Sequence, residues 1–282
     1  MVRYRLGCEL EYSVRERTTF IFNVGVSAGA GDRVAEERYS VEPRVVFEEF
    51  TTLPESNRYL RLTAEPCELR FAYEAAVGKS APVLTDALID EVPVGLLPAE
   101  AIPYLYPSRY CQSDKLMRMA QREFGGVAAG FARVTAVCNW IYDHVEYLRG
   151  SSDQHTSAYD TATERAGVCR DFAHLGIAFC RALGIPARFV TAYSYKLEPA
   201  DFHACFEAYL GGRWYVFDPT RLAPPAGFVP IAAGRDAADT SFATIYGLAE
   251  MTAMRVFIEP DKSVGIQTEQ LPEFTTSAVA LT

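Results

Sequence analysis

Residues 167–190 read Gly167-Val-Cys-Arg-Asp-Phe-Ala-His-Leu-Gly-Ile-Ala-Phe-Cys-Arg-Ala-Leu-Gly-Ile-Pro-Ala-Arg-Phe-Val190, and from Cys169 to Leu183 almost every position except Arg170, Asp171, His174 and Arg181 is apolar. Such a segment is a helix enclosed by protein on most sides. It stops at Gly184, with Pro186 just beyond. If Gly167 ends the preceding loop, Cys169 falls at the helix N-terminus, where unpaired N–H groups and the positive end of the dipole favour thiolate over thiol. This is a common way of making a sulfur nucleophile at neutral pH. The alternative is a buried, inert thiol, so the presence of a base decides between the two.

The chain has four histidines. His174 is five residues past Cys169, and five steps of about 100° turn it away from the sulfur, as expected of a structural histidine. His144 falls on another helix and His155 in a loop. His203 lies in Asp201-Phe-His-Ala-Cys-Phe-Glu-Ala-Tyr-Leu210, which alternates, meets Gly211-Gly212, and is followed by the alternating Arg213-Trp-Tyr-Val-Phe-Asp218 and then Pro219. This pattern is an antiparallel hairpin. With a two-residue loop, Leu210 faces Arg213 and Cys205 faces Asp218. His203, Cys205, Glu207 and Tyr209 then share one face with Trp214, Val216 and Asp218. His203 and Asp218 become diagonal neighbours about 7 Å apart at Cβ, close enough for a hydrogen bond. A four-residue loop keeps this register, and a three-residue loop slips it and separates the pair. Glu207 is the competing partner for the imidazole.

Upstream, Ser113 opens a helix through about Phe124 that Gly125-Gly126 breaks. A second follows with Phe131, Val134, Val137, Ile141 and Val145 along one stripe. Residues 149–162 are polar and aperiodic, a surface loop. Pro93, Pro98, Pro103 and Pro107 mark a linker. Before it lie short alternating runs such as Tyr4-Leu6-Cys8-Leu10-Tyr12, residues 19–24, Arg44-Val-Val-Phe47, Tyr59-Leu-Arg-Leu62 and residues 69–73, which read as an antiparallel sandwich. The expected organisation is a β-sandwich over 1–92, a Pro-rich linker over 93–112, a core over 113–259 and a loosely held tail over 260–282. No repeat or low-complexity segment interrupts it.

At 282 residues with 49% hydrophobic side chains the chain can bury a sizeable core, and disorder is excluded as its main state. A formal charge of −9 supplies no broad positive field, so neither nucleic acid nor a membrane surface is expected as partner. The first residues contain no apolar block of the signal-peptide kind, no window approaches the run of about 18 apolar residues a spanning helix needs, and the seven cysteines are odd in number and scattered. The expected compartment is the cytoplasm.

Three blocks, Gly167 to Val190, His203-Ala-Cys-Phe-Glu207 and Trp214-Tyr-Val-Phe-Asp-Pro-Thr220, resemble in order the core of the bacterial transglutaminase-like superfamily, whose members include proteins described as cysteine proteases. The resemblance covers about residues 113–258, and the preceding strands resemble the β-domain found ahead of that core in many bacterial members. It implies an α+β chain, an N-terminal antiparallel β-sandwich followed by a papain-like core of helices packed on an antiparallel sheet. In it Cys169, His203 and Asp218 correspond to nucleophile, base and orienting carboxylate. The implied activity is amide-bond hydrolysis of a peptide or protein substrate through a thioester. Transamidation by the same chemistry and a non-enzymatic peptide-binding module are the rival readings. The oxyanion would meet the Cys169 N–H and a second donor, for which Tyr147, Gln154 and Trp140 are candidates. Cys205 stands where the family often has an aromatic residue. Calcium loops and paired Cys-x-x-Cys spacings are not recognisable, so no metal and no cofactor are expected.

Overall fold

A computed structural model describes residues 2–27, 33–53, 55–79, 83–85, 88–261 and 271–281. The first strands are β1 (Val2–Val14), β2 (Thr18–Phe22), β3 (Arg33–Glu42), β4 (Phe47–Thr52), β5 (Asn57–Ala64), β6 (Cys67–Lys79) and β7 (Val83–Thr85). The alternation in β1 works as the period-two pattern requires: Tyr4, Leu6, Cys8, Leu10 and Tyr12 are all buried. They meet Phe20, Phe22, Leu60, Leu62 and Phe71, with the Phe22 and Phe71 rings stacked at 4.1 Å. β3 has no counterpart among the expected runs, because its Glu36, Glu37 and Arg38 are exposed and its only buried residue is Val41. The run at Arg44 begins pairing only at Phe47, and Val46 is left 93% exposed.

After two short 3-10 turns in the proline-rich segment come α1 (Ser113–Phe124), α2 (Phe131–His144), β8 (Glu146–Tyr147), α3 (Ala158–Glu164), β9 (Ala166–Gly167) and α4 (Cys169–Ala182). Next are β10 (Ala187–Ser194), β11 (Phe202–Leu210), β12 (Arg213–Phe217), β13 (Phe228–Gly234), β14 (Ala243–Tyr246), β15 (Ala249–Pro260) and β16 (Ala278–Ala280). Helices α1, α2 and α3 pack around α4, which lies on a mixed-origin sheet of order β13-β10-β11-β12-β16-β7. The α+β architecture, a sandwich joined to helices on an antiparallel sheet, is that implied by the family resemblance. Among the described residues no helix is long and apolar enough to cross a membrane.

The chain does not divide between the two units at single points. β14 pairs with β2 and β15 with β1, so residues 243–260, placed in the core by the sequence reading, complete the two four-stranded sheets of the sandwich, β14-β2-β5-β4 and β15-β1-β6-β3. Conversely β7, from the N-terminal segment, and β16, from the expected tail, extend the core sheet. Residues 262–270 and 282 of that tail lie outside the described residues. The pairings of β14 and β15 with β2 and β1 join segments more than 200 positions apart and, like those of β16, leave no mark in local pattern.

The units are also joined side chain to backbone. Tyr193 on β10 sits in the sandwich core and donates from its hydroxyl to the Val24 carbonyl at 2.9 Å. Asn57 exchanges two hydrogen bonds with the backbone of Ala233, at 2.7 and 2.9 Å. At the far end of α4 the buried Arg181 guanidinium donates to the carbonyls of Ala187, Tyr106 and Arg235 and to Ser108 Oγ, all within 3.0 Å. His174 is structural, as its direction along the helix predicts. It is fully buried between Tyr110 and Phe189, accepts from the Ala237 amide at 3.2 Å, and is held neutral by burial and the neighbouring arginines.

Helix α4 lies close against the sheet at Gly176, where an added Cβ would lie 2.5 Å from a ring carbon of Phe206. Helix propensity favours alanine over glycine by up to about 1 kcal/mol, but overpacking a fully buried ring costs about 1–3 kcal/mol. Gly176→Ala should therefore lower stability in urea unfolding. An unchanged or higher midpoint would show that the contact yields.

Candidate active site

The Cys169 end of the site is shaped by a glycine and a cap. A Cβ on Gly167 would come within 2.6 Å of Asp171 Cβ, so only glycine lets the chain turn into α4 at this point. Asp171, fully buried, accepts the Val168 amide at 2.8 Å and so caps the helix that Cys169 begins. The short parallel pairing of β8 with β9 sets Tyr147 opposite Gly167, which brings the phenol beside Cys169. Burial foremost, and then the nearby Cys169 sulfur, push that phenol up to about 12. Arg170 donates to the Asp153 carbonyl at 2.6 Å and ties the 149–157 loop to the same corner.

The imidazole comes from the hairpin. β11 and β12 pair with Leu210 opposite Arg213 and Glu207 opposite Val216, the register a two-residue loop gives, with both loop glycines at positive φ (54° and 85°). His203 and Asp218 fall on one face and meet, Nε2 to Oδ2, at 2.7 Å, with both side chains only 1% exposed. The second oxygen of Asp218 accepts the Thr220 amide at 3.0 Å and the Thr220 hydroxyl at 2.7 Å. With Nε2 committed to Asp218, Nδ1 is the ring nitrogen left for the Cys169 side chain, which lies beside the imidazole. Burial alone would push the imidazole down. The Asp218 carboxylate and the Cys169 side chain outweigh it and hold it up at about 10.

Cys169, His203 and Asp218, distant in sequence, are thus brought together. The competing partners are engaged elsewhere. Glu207 forms an ion pair with Arg188 at 2.7 Å, and that guanidinium lies 4.4 Å over the Trp214 ring. Of the three upstream candidates only Tyr147 touches Cys169. Trp140 lies between the Arg165 guanidinium at 4.4 Å and the His144 ring at 4.6 Å, and Gln154 is exposed with its amide toward His155. Cys205 is completely buried, and burial first, then Asp218, push its thiol well above the ordinary range, which makes it a poor nucleophile. All seven cysteines are free. Thr220 was not among the expected residues, although an Asp-Pro-Thr turn after a strand carries the signal, since Asp and Thr at such spacing bond locally.

Residues 118–219 match the family described as the Transglutaminase-like superfamily, and residues 2–100 match the Bacterial transglutaminase, N-terminal domain. A crystal structure named "a Putative Cysteine Protease from Cytophaga hutchinsonii" is 44% identical, with a TM-score of 0.93 over 99% of this chain and 97% of that one. The chain belongs to the transglutaminase-like superfamily. A curated relative, "Uncharacterized protein ML0607" of Mycobacterium leprae (strain TN), is 31% identical over 136 residues, and the match spans 48% of that protein, about half its length. The periplasmic domain of TgpA from Pseudomonas aeruginosa is 18% identical over 78% of this chain and 87% of that one, with a TM-score of 0.39. Superfamily membership and the Cytophaga neighbour support a cysteine-based enzyme.

A histidine raised from 6.5 to about 10 in the fold stabilises it fully below pH 6.5, and the contribution is lost as pH rises through about 10. Asp218→Asn removes the main attraction. The stability gap between the native protein and this variant should be widest on the acid side of that window and close toward its alkaline side in chemical unfolding at stepped pH. A gap that stays flat across the window would show that the imidazole is not held charged by Asp218.

Proposed function

We propose that this protein is a cysteine-nucleophile amide hydrolase, a peptidase or amidase that works through a thioester. The observation that carries this reading is the buried His203–Asp218 hydrogen bond, 2.7 Å long, with the Cys169 side chain beside the same imidazole. With its proton already held on His203, the sulfur of Cys169 attacks the amide carbonyl carbon and forms the S–C bond. The carbonyl electron pair moves onto oxygen, to which the Cys169 N–H and the Tyr147 hydroxyl donate. Collapse breaks the C–N bond, and His203 protonates the leaving amine. Water then attacks the thioester, His203 takes its proton, and the carboxylic acid leaves as the sulfur is freed beside the protonated imidazole. Asp218, clamped by Thr220, holds the imidazole in the orientation both half-reactions need.

Hydrolysis over transamidation is supported by the name of the 44% identical Cytophaga protein, a "Putative Cysteine Protease". The proposed substrate is a peptide or protein, and the proposed compartment, supported by seven unpaired thiols, is the cytoplasm.

A panel of peptide and glutamine-amide substrates, with and without an added primary amine, tests the reaction class. Release of acid that the amine does not divert supports hydrolysis; amine incorporation in its place would make the enzyme a transamidase. Cys169→Ala should abolish turnover with the fold intact, and unchanged turnover would remove Cys169 from the mechanism. Tyr147→Phe should lower kcat by about a hundredfold with little change in KM. If kcat is unaffected, the second donor lies elsewhere.

A further inference from the structure

Among the described residues β15 is an edge strand, paired with β1 on one side only. Residues 250–255, Glu250-Met-Thr-Ala-Met-Arg255, are all exposed. Met251 and Met254 are 43% and 40% accessible, and Tyr246 and Leu248 beside them 63% and 60%. The exposed edge, uncharged over residues 251–254 between Glu250 and Arg255, is a ready template for another strand.

The sequence of this edge is self-complementary, and the fold makes the complementarity usable. A β-bulge interrupts the pairing with β1, so that Ala253 faces Glu11 and Met251 faces Tyr12, with Thr252 as the extra residue. In a regular strand, residues five apart lie on opposite faces. Here the bulge puts Glu250 and Arg255, opposite Ser13 and Glu9, both on the outer face. It puts Met251 and Met254, opposite Tyr12 and Leu10, both on the inner one.

We propose that two copies of this chain associate through β15, antiparallel about a twofold axis between Thr252 and Ala253. In this register Glu250 of each copy lies opposite Arg255 of the other and Met251 opposite Met254. Ala249 lies opposite Val256, and every opposed pair shares a face. The two β15-β1-β6-β3 sheets become one continuous sheet with two symmetric ion pairs on its outer face and the methionines beneath. Arg255 already leans toward Glu9 of its own chain, at 3.6 Å, and Glu250 of the other copy would complete its surroundings. A twofold interface of this kind is closed and leaves no edge for further growth.

Sedimentation equilibrium of the intact protein tests this, with Glu250→Arg, Arg255→Glu and the double exchange. The native protein should dimerise. Each single reversal turns two attractive pairs into two repulsive ones and should weaken the dimer by about tenfold or more, and the double exchange should restore it. A native monomer, single variants that dimerise like the native protein, or a double variant that stays as weak as the singles would each overturn the proposal. Glu250→Arg alters an exposed side chain with no partner in the hydrogen-bond and ion-pair set of the described residues, so its result stands apart from any effect of Arg255→Glu on the fold through Glu9.

Discussion

Asp218 and His203 have to leave water together. A carboxylate with its side chain 1% exposed is costly unless every lone pair finds a donor, and an imidazole beside it is neutralised by burial unless a negative charge holds its proton. The hairpin meets both demands. Its register delivers His203 to one carboxylate oxygen, and the turn that follows delivers the Thr220 amide and hydroxyl to the other. Each group is thereby the condition for the other's burial. The resulting dry, charged pair is aimed at the one cysteine of the seven that begins a capped helix.

The other half of the site depends on where α4 starts and where it is held. Gly167 and Asp171 set the starting point, and Gly176 allows the helix to lie against Phe206. The buried Arg181 fastens its far end to carbonyls from three separate segments. A buried guanidinium is tolerable because it is fully occupied, and those bonds also fix the distance between the linker, the sheet and the loop at Arg235. His174, stacked and neutral, belongs to the same anchoring region and is remote from the thiol in role although close in sequence.

The sandwich is more than an appendage. β14 and β15 leave the core sheet to complete it, β7 and β16 travel the other way, and Tyr193 of β10 fills its interior. Neither unit closes its sheets from a contiguous stretch of chain, so the two fold as interleaved parts. This arrangement also leaves β15, the last strand added to the sandwich, at an open edge.

Local pattern determined much of this protein. The apolar run from Cys169 to Leu183 marked the central helix, and Gly211-Gly212 with alternation on both sides specified the hairpin, its faces and hence the meeting of His203 with Asp218, because strand register propagates from a tight turn by a strict period of two. The matched blocks pointed to the superfamily. Contacts between distant segments were decided only by the tertiary structure. Nothing near Tyr147 announces that a two-residue parallel bridge sets it beside Cys169, and Glu207 remained a rival to Asp218 until Arg188 arrived from a neighbouring strand. The exposed, polar β3 and the exposed, bulged β15 show no regular apolar alternation to read, since an edge strand is held by backbone hydrogen bonds to a partner whose position the side-chain pattern does not encode.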